Sequence, residues 1–313
     1  MRITIYGGGG FIGSNIADRL LLDGHTLRIF ERPRVEPYRK FAPHESMEWM
    51  TGDMLSLHDM AQALTGADVV IHLVSTTLPK NSNDDPLFDV QSNLVATLQM
   101  LNAIVTQKVP RIIFISSGGT VYGKPVYLPI DEKHPTEPQV SYGIIKLAIE
   151  KYLLMYEQLH GIKAIILRVA NPYGPRQRFE TAQGAVSVFM HRALNGQAID
   201  IWGDGSVTRD YLYIDDVAEA FAKAVHYSGD KSVFNVGAGY GTSLNELVEA
   251  LEEVLGTVIT RRYLPGRPFD VPASVLKNAL AAEEMGWKPR VLLKDGLIRT
   301  ATWMKNAQGK WPD

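Results

Sequence analysis

The first thirty residues alternate between strand-like, glycine-rich and helical patterns. A short β-branched run at 3–5 precedes four glycines at 7–10, and a helical pattern follows with Ile16 and Leu20 on one face. A second apolar run then covers 26–30. This order predicts a strand, a glycine turn, a helix and a second strand, which is the repeating unit of an open parallel sheet.

Further apolar runs repeat the same unit. Nearly continuous apolar runs are typical of parallel strands buried on both faces, and here they are 67–75, 111–116 and 164–169. Helical patterns separate them at 87–107 and 142–160. This alternation predicts an α/β fold of the Rossmann type, with a doubly wound parallel sheet.

The strict alternation ends near residue 171, where shorter elements begin. We expect a Rossmann-type domain over 1–171, to which 207–240 returns. The remaining parts, 172–206 and 241–313, are expected to form a smaller α/β lobe. Thr242 and Ser243 can cap a helix over 244–255 in that lobe. A ligand would then lie in the cleft above the strand ends.

The 142–160 helix has apolar residues around nearly its whole circumference. A helix of this kind is buried on all sides. One side can pack on the sheet, and the other is expected to meet the 87–107 helix or a symmetry mate. We therefore predict a homodimer through the 87–107 and 142–160 helices.

The glycines of the opening unit have the spacing of a dinucleotide-binding loop. Gly7 permits a tight turn, Gly10 lets a pyrophosphate approach the backbone, and Gly13 lets the helix pack on the strand. The helix N-terminus then directs free N–H groups at the phosphates. A glycine turn without a ligand is the alternative, but the strand, the helix and a terminal acid are all in register with the glycines.

That terminal acid, Glu31, ends the second apolar run, where a carboxylate can accept from ribose hydroxyls. A carboxylate repels a 2′-phosphate, which favours NAD. Arg32 and Arg34 lie close by and keep NADP as an alternative.

Three polar residues within or beside the predicted strands and helices are further candidates. Asp53 could accept from an adenine amine or cap a helix over 55–64. Asn93 interrupts an apolar helical face and could face the cofactor. His72 lies inside an apolar run, which favours a buried structural role over a catalytic one.

Tyr142 and Lys146 form the strongest candidate for catalysis. Residues four apart on a helix lie on one face, so an ammonium stands beside a phenol. A neighbouring positive charge lowers the pKa of a phenol. A phenolate near neutral pH can serve as a general base. Because the pair follows a dinucleotide loop and the serine-rich strand end at 116–117, we expect a catalytic role.

The amino-acid composition limits the kinds of partner that we expect the protein to bind. The chain has 313 residues, 45% hydrophobic and 21% charged, with a formal net charge of −2 and no basic block, so no nucleic-acid partner is expected. It has no cysteine, which fits a reducing cytoplasm and excludes cysteine-ligated metals, and no metal site is predicted. No apolar run approaches the ~20 residues of a membrane helix. A strand that begins at residue 2 is not the pattern of a signal peptide, so we expect a cytoplasmic protein without a membrane partner.

Several motifs together resemble the extended short-chain dehydrogenase/reductase family. The motifs are GGGGFIG at 7–13, SSGGTVYG at 116–123, YGIIK at 142–146, NPYGPRQ at 171–177 and IWGDGSVTRDYLYIDDVA at 201–218. Within this family, nearly the whole chain is similar to the nucleotide-sugar 4-epimerases of the UDP-glucose 4-epimerase type. Such a resemblance specifies fold and cofactor more closely than reaction.

The resemblance implies roles for individual residues. It implies that NAD is held by Gly7, Gly10, Phe11, Ile12, Gly13, Glu31, Arg32, Asp53, Met54, Leu73, Ser75, Asn93, Ser116, Tyr142 and Lys146. It implies that a UDP-sugar is contacted by Asn171, Gln177, Ala185, Val186, Trp202, Arg209, Arg267, Asp270 and Ser274. Arginine suits a diphosphate because its planar fork is always charged. An ion pair of Arg209 with Asp204 or Asp210 is the alternative.

One position departs from the family pattern. Where relatives carry a serine or threonine two positions before Thr120, this chain has Gly118. Ser117 or Thr120 must supply the catalytic hydroxyl, with Thr120 favoured, or Tyr142 acts without it. The related dehydratases carry an Asp-Glu pair where this chain has Gly119 and Thr120, so dehydration is disfavoured.

The function implied is NAD-dependent 4-epimerisation of a UDP-sugar through a 4-keto intermediate, with Tyr142 as base and Lys146 as its partner. The resemblance implies that Ser274 occupies the position that gates the C2 substituent, and its small size predicts that N-acetylated sugars fit as well as UDP-glucose. Two alternatives stay open: a nucleotide-sugar reductase or dehydrogenase of the same fold, and a non-catalytic NAD-sensing protein.

Overall fold

The computed structural model of the chain describes residues 1–179, 184–266 and 271–307. The strands, in chain order, are β1 (Arg2–Tyr6), β2 (Thr26–Glu31), β3 (Met47–Thr51), β4 (Val69–His72), β5 (Arg111–Ser117), β6 (Lys163–Val169), β7 (Asn171–Tyr173), β8 (Ile199–Trp202), β9 (Thr208–Arg209), β10 (Tyr211–Tyr213), β11 (Val233–Val236), β12 (Thr242–Ser243), β13 (Arg261–Leu264) and β14 (Ala273–Ser274). The helices are α1 (Phe11–Leu22), α2 (Leu57–Leu64), α3 (Pro86–Asp89), α4 (Ala96–Gln107), α5 (Ser141–His160), α6 (Ala185–Leu194), α7 (Ile214–His226), α8 (Leu244–Leu255), α9 (Ala279–Met285) and α10 (Leu293–Ala307).

A seven-stranded parallel sheet forms the centre, in the order β11-β6-β5-β4-β1-β2-β3. β1 pairs in parallel with both β2 and β4, so Ile3 lies between Leu27 and Val69. The strand order reverses between β1 and β4, and open parallel sheets bind ligands at such a switch point. The predicted doubly wound sheet is confirmed.

The two faces of the sheet bury alternate residues of each strand. On β1, Ile3 and Ile5 pack with Leu20 of α1 in one core, and Tyr6 packs with Met60 and Ile149 in the other. This period of two is the geometry of an extended strand covered on both faces. The helices packed on the two faces thereby hold each strand, and the loop that follows it, in place in the sheet.

The predicted helix over 87–107 is continuous in the structure, but its middle is π-helical and not α-helical. α3 is capped by Asp85, and a π-helical segment (Val90–Val95) joins α3 to α4. Within the segment Asn93 turns its amide toward Thr76 and the carboxylate of Asp89. Wider helical turns of this type often mark functional sites.

Within one copy of the chain, one side of α5 packs on the sheet, as predicted, and the opposite side is exposed. Ile145 and Leu153 are buried against the sheet, but the opposite face leaves Ile144 52% and Leu159 67% exposed. The neighbouring α4 also contacts α5 but leaves these two side chains exposed.

Shorter pairings form a second set of elements after β7. β8 pairs with β13, β7 pairs with β10, and β9 lies between β12 and β14. The side chain of Ser243 accepts from the amide of Glu246, whose carboxylate accepts from the amide of Ser243, and together they cap α8. The predicted cap of this helix is confirmed.

Candidate functional site

The glycine loop after β1 has the shape of a cradle for a pyrophosphate. Gly7 has a φ of +84°, which turns the chain sharply away from the strand. A Cβ at Gly13 would overlap the carbonyl oxygen of Gly7, so helix and loop can approach this closely only without it. At Gly10 the nearest atom would be the same oxygen at 3.5 Å, which leaves open space beside the backbone.

The first turn of α1 is available to an anion. Phe11 and Ile12 begin the helix, and the preceding Gly10 supplies no side-chain acceptor to their amides. An uncapped helix N-terminus presents N–H groups and partial positive charge to a phosphate. These observations fit NAD.

Glu31 lies at the carboxyl end of β2, next to the loop. Its carboxylate accepts from the amide of Gly9 at 2.9 Å and from that of Arg32 at 3.3 Å. Burial raises the pKa of Glu31, and the two amide hydrogen bonds oppose that rise. The side chain therefore holds the loop at the position where a ribose hydroxyl would reach it.

Asp53 follows β3 and does not cap the next helix. Its carboxylate accepts from the amide of Leu55 in a local turn, and α2 is capped instead by Ser56. The capping alternative is therefore wrong. Met54 is partly buried against the core beside the same strand end.

The loop after β4 is tied to the π-helical segment. Leu73 donates its amide to Tyr6, and the Ser75 hydroxyl donates to the carbonyl of Thr77. Asn93 is itself buried and accepts from the amide of Thr76 at 2.9 Å. The amide of Asn93 is thus occupied by protein groups and shapes this loop.

His72 is structural, as the sequence favours. It is buried at 2% exposure, and its Nε2 lies 2.9 Å from the Thr97 hydroxyl. Burial, with a contribution from the nearby Lys146, lowers the pKa of His72 to about 3, so the ring is neutral.

Tyr142 and Lys146 occupy one face of α5 behind the end of β5. The Lys146 Nζ donates to the carbonyl of Ile115 at 3.0 Å and lies 5.6 Å from the centre of the Tyr142 ring. This places an ammonium beside the phenol, as the spacing predicts.

The pKa of the Tyr142 phenol is raised, and not lowered as the sequence predicts. Burial, and secondarily the charge of Asp89, raise the pKa of Tyr142 to about 12. Burial lowers the pKa of Lys146 to about 8, although Glu150 and Asp89 oppose this. The prediction was wrong because it counted the neighbouring charge and not the removal of the phenol from water.

The Ser116 hydroxyl lies in a buried network and is not directed at the cleft. It donates to the Glu150 carboxylate at 2.5 Å, and Arg168 donates to the same carboxylate at 2.6 Å. Arg168 also donates to the hydroxyl of Tyr122. This network underlies the face of α5 that carries Lys146, since Glu150 is one turn further along.

Packing explains why residue 118 is a glycine and not a serine or threonine. A Cβ there would overlap the side chain of Leu276, which is fully buried. Close by, the Thr120 Oγ1 is buried without a hydrogen-bond partner among the described residues. A buried hydroxyl without a protein partner is suited to a ligand, whereas Ser117 is partly exposed at the end of β5.

Two predicted substrate residues are held by backbone carbonyls. Asn171 donates its side-chain amide to the carbonyl of Asp210, and Arg209 donates to those of Thr208 and Val271. The Asp210 carboxylate, which the sequence offers as an ion-pair partner, is buried and accepts from the amides of Ala238, Gly239 and Leu276. Burial raises the pKa of Asp210 to about 6.

The other substrate candidates lie along the shorter strands and α6. Gln177 donates to the Pro172 carbonyl while its Oε1 is buried without a partner among the described residues. Ala185 and Val186 open α6, and Trp202 ends β8 with 38% exposure. Ser274 on β14 is buried beside Arg209 of β9. Arg267 and Asp270 lie outside the described residues.

Several residues of this region were not predicted from the sequence. The carboxylate of Asp89 and the loop residues Ser82 and Asn83 contact the first turn of α5. Glu150 could have been found, because it is eight residues after Tyr142 and four after Lys146 on the same helix face. The contact of Leu276 with Gly118 joins distant parts of the chain and has no local signal.

Within 1–179, 184–266 and 271–307, no helix has both the length and the apolar character needed to cross a membrane. The same residues contain no cluster of three histidines or carboxylates able to hold a metal ion.

A doubly wound sheet with a glycine-rich loop at its switch point is a Rossmann-type dinucleotide-binding fold. The chain belongs to the NAD dependent epimerase/dehydratase family, whose model matches residues 3–237. It is therefore an enzyme of a family that uses NAD, and the predicted cofactor and family resemblance are confirmed.

Individual relatives agree with this family and differ in reaction. A UDP-glucose 4-epimerase of Mycolicibacterium smegmatis is 36% identical over 98% of this chain and 99% of its own length. A dTDP-4-dehydro-6-deoxyglucose reductase of Escherichia coli is 32% identical over 94% and 95%. The crystal structure of UDP-glucose 4-epimerase with UDP-glucose from Thermotoga maritima has a TM-score of 0.92 and 33% identity, covering 98% of this chain and 100% of that one.

Proposed function

We propose that this enzyme catalyses the NAD-dependent 4-epimerisation of a UDP-sugar through a transient 4-keto intermediate. The observation that carries the proposal is the Tyr142–Lys146 pair, held behind the end of β5 at the same sheet edge as the glycine loop. The UDP-glucose 4-epimerases among its relatives support the reaction and the substrate class.

In this proposal Tyr142 removes the proton from the C4 hydroxyl and later returns it. Lys146 supplies the positive charge that favours the phenolate, and Thr120 supplies the hydroxyl that orients the reacting oxygen, with Ser117 as the alternative donor. NAD held beside Tyr142 and Lys146 would supply a reversible hydride acceptor for C4 of the sugar. The chain must therefore hold the 4-keto sugar loosely enough to turn.

We assign NAD to the edge formed by β1 to β5. Its candidate contacts are those implied by the family resemblance: the glycine loop, Glu31, Arg32, Asp53, Met54, Leu73, Ser75, Tyr142 and Lys146. The resemblance also implies Asn93 and Ser116, but their side chains are occupied by protein groups. We assign the sugar nucleotide to the lobe of 172–206 and 241–313, with Asn171 and Arg209 near its phosphates. A cytoplasmic location fits a chain without cysteine.

The direct test follows sugar and cofactor together. The purified protein with NAD is expected to interconvert UDP-glucose and UDP-galactose, or their N-acetyl forms, without net change in absorbance at 340 nm. NAD is regenerated in each turnover, so product should exceed enzyme-bound cofactor many times over. Stoichiometric consumption of NADH or NADPH would contradict epimerisation.

A nucleotide-sugar reductase is the second candidate, because the Escherichia coli relative has that activity and Gly118 departs from the epimerase pattern. A reductase would convert a 4-keto sugar nucleotide with one reduced cofactor per product. NAD binding without turnover on either class of substrate would instead support the sensing alternative.

Substrate choice is expected to depend on Ser274. This residue stands two positions before Leu276, which packs over Gly118, so a large side chain would reach toward the sugar. Ser274→Tyr should lower kcat/KM for the N-acetylated UDP-sugar by about tenfold more than for UDP-glucose. Both substrates are measured on the same variant, and equal losses would show that Ser274 does not gate the C2 substituent.

We also propose a homodimer formed by the outer faces of α3, the π-helical segment and α5. The exposed apolar side chains there are Leu87, Phe88, Val95, Ile144, Tyr152, Met155 and Leu159. α5 contacts both α3 and the π-helical segment, so these side chains lie on neighbouring helices. A contiguous apolar surface rimmed by polar residues favours a protein interface, and a two-fold contact would pair each helix with its mate.

The homodimer is tested by measuring the molar mass of the protein in solution. The wild type is expected to elute as a dimer at micromolar concentration in light scattering, and Phe88→Glu combined with Met155→Lys should yield monomer. Leu292→Glu, at a similarly exposed leucine outside this surface, is the control and should stay dimeric. A wild type that is monomeric would remove the proposal.

A further inference from the structure

The catalytic helix α5 begins without a cap of its own. Val140 occupies the N-cap position in an extended conformation and makes no side-chain hydrogen bond. Its side chain has no acceptor for the amides of the first turn, and uncapped amides at a helix start need partners elsewhere. The amide of Ile144 is the first to bond within the helix, to the carbonyl of Val140.

Two residues of the loop after β4 provide the missing acceptors. The Asn83 Oδ1 accepts from the amide of Ser141 at 2.9 Å, and the Ser82 Oγ accepts from the amide of Tyr142 at 3.1 Å. Ser82 is fully buried, whereas Asn83 reaches the helix from an exposed position. The helix is thus capped by a segment about sixty residues earlier in the chain.

Asp89 adds a third contact to the same turn. Its carboxylate accepts from the Ser141 hydroxyl at 2.6 Å, and also from Thr77 at 2.7 Å and Asn93 at 2.8 Å. It is buried at 1% exposure, so a wrong placement would leave a charge without partners. The carboxylate therefore fixes the distance between α3 and the start of α5.

The opposite side of the turn is closed by the loop after β5. A Cβ at Gly143 would come within 2.9 Å of the Thr120 carbonyl oxygen and of Pro138. The first turn of α5 consequently lies between the loop that carries Thr120 and the loop that carries Ser82. Displacement of the turn would move Tyr142 relative to the other candidate catalytic groups.

We propose that Ser82, Asn83 and Asp89 form a clamp that positions Tyr142 for proton transfer. They are positioning residues, because they bind the helix that carries the phenol. Reacting groups must be held within a fraction of an ångström, and a shift of about 1 Å can cost on the order of 10²-fold in rate. The proposal rests on the proposed epimerase function and adds residues that act through Tyr142.

The kinetic test uses Asn83, because an exposed side chain can be changed without opening the core. Asn83→Ala is expected to lower kcat by about tenfold with little change in KM, since the phenol is misplaced and the sugar still binds. Asn83→Asp keeps an acceptor oxygen at the helix start and should restore most of kcat. Asp84→Ala, next in the same exposed loop, is the matched control and should behave as wild type.

A structural readout separates this proposal from the proposed function. Amide exchange of the first turn of α5, measured on the NAD-bound protein, should be about fivefold faster in Asn83→Ala and in Ser82→Ala than in wild type. That result does not depend on which reaction the enzyme catalyses, and exchange elsewhere in α5 should be unchanged.

The outcomes are distinct. An active wild type with unchanged kcat and exchange in Asn83→Ala would overturn the clamp and leave the epimerase intact. A raised KM with unchanged kcat would also overturn it, because Asn83 would then act on substrate. An inactive wild type whose variants still show faster exchange would support the clamp and contradict the epimerase.

Discussion

Tyr142→Phe is expected to lower kcat for UDP-sugar epimerisation by roughly 10²–10⁴-fold, the usual contribution of a general base. The substitution removes one oxygen and leaves the ring that Lys146 contacts. NAD content and the unfolding temperature should therefore stay close to those of wild type. The measurement is the rate of sugar interconversion at saturating substrate.

Tyr156→Phe is the matched control on the same helix. Its hydroxyl donates to Asn102 at the surface, away from the site, so its loss should leave the rate unchanged. If Tyr142→Phe retained the wild-type rate with NAD bound, Tyr142 would not be the base, and the epimerase mechanism would need another proton acceptor.

The pH dependence of the same reaction carries a second signature. The pKa of Tyr142 is raised to about 12 by burial, so only a small fraction is phenolate near neutral pH, and the rate should rise with pH as this fraction grows. Below about pH 8, where Lys146 is protonated, Lys146→Met takes away a nearby positive charge and raises the phenol pKa further. The acidic limb of log kcat should move about one unit or more toward higher pH. An unmoved limb would show that Lys146 does not act through the phenol.

The sequence was sufficient for those parts of the site that depend on short-range spacing. The glycines at 7, 10 and 13 and the four-residue spacing of Tyr142 and Lys146 appear in the structure where they were expected. Both rely on geometry within one turn or one helix, where the positions of neighbours follow from the backbone alone.

The spacing of residues along the sequence could not predict long-range packing or burial. The side chain of Leu276 fills the space beside Gly118, and Asn83 caps a helix 58 residues away. The raised pKa of Tyr142 likewise depends on what surrounds it and not on its neighbours in sequence. The apolar circumference of α5 likewise predicts contact on two sides, but the spacing alone does not show whether the second side meets α4 or a second copy of the chain.

Breaking the ion pair of Arg168 and Glu150 is expected to have the largest effect on stability. The two side chains are only 6% and 2% exposed, and the carboxylate also accepts from Ser116. Glu150→Gln leaves the guanidinium of Arg168 buried without its counter-charge. Removing one partner of such a pair costs about 3–5 kcal/mol, which corresponds to a fall in unfolding temperature on the order of 10 °C.

The double variant identifies the cause of this loss. Glu150→Leu combined with Arg168→Met removes both charges. The double variant should therefore lose less stability than the sum of the losses in Glu150→Leu and Arg168→Met measured separately. Lys294→Met is the matched control, because the pair of Lys294 with Glu253 is exposed and worth less than about 1 kcal/mol. Additive losses in the double variant would mean that each side chain stabilises the core by packing alone, and the ion pair would then have no part in holding α5 against the sheet.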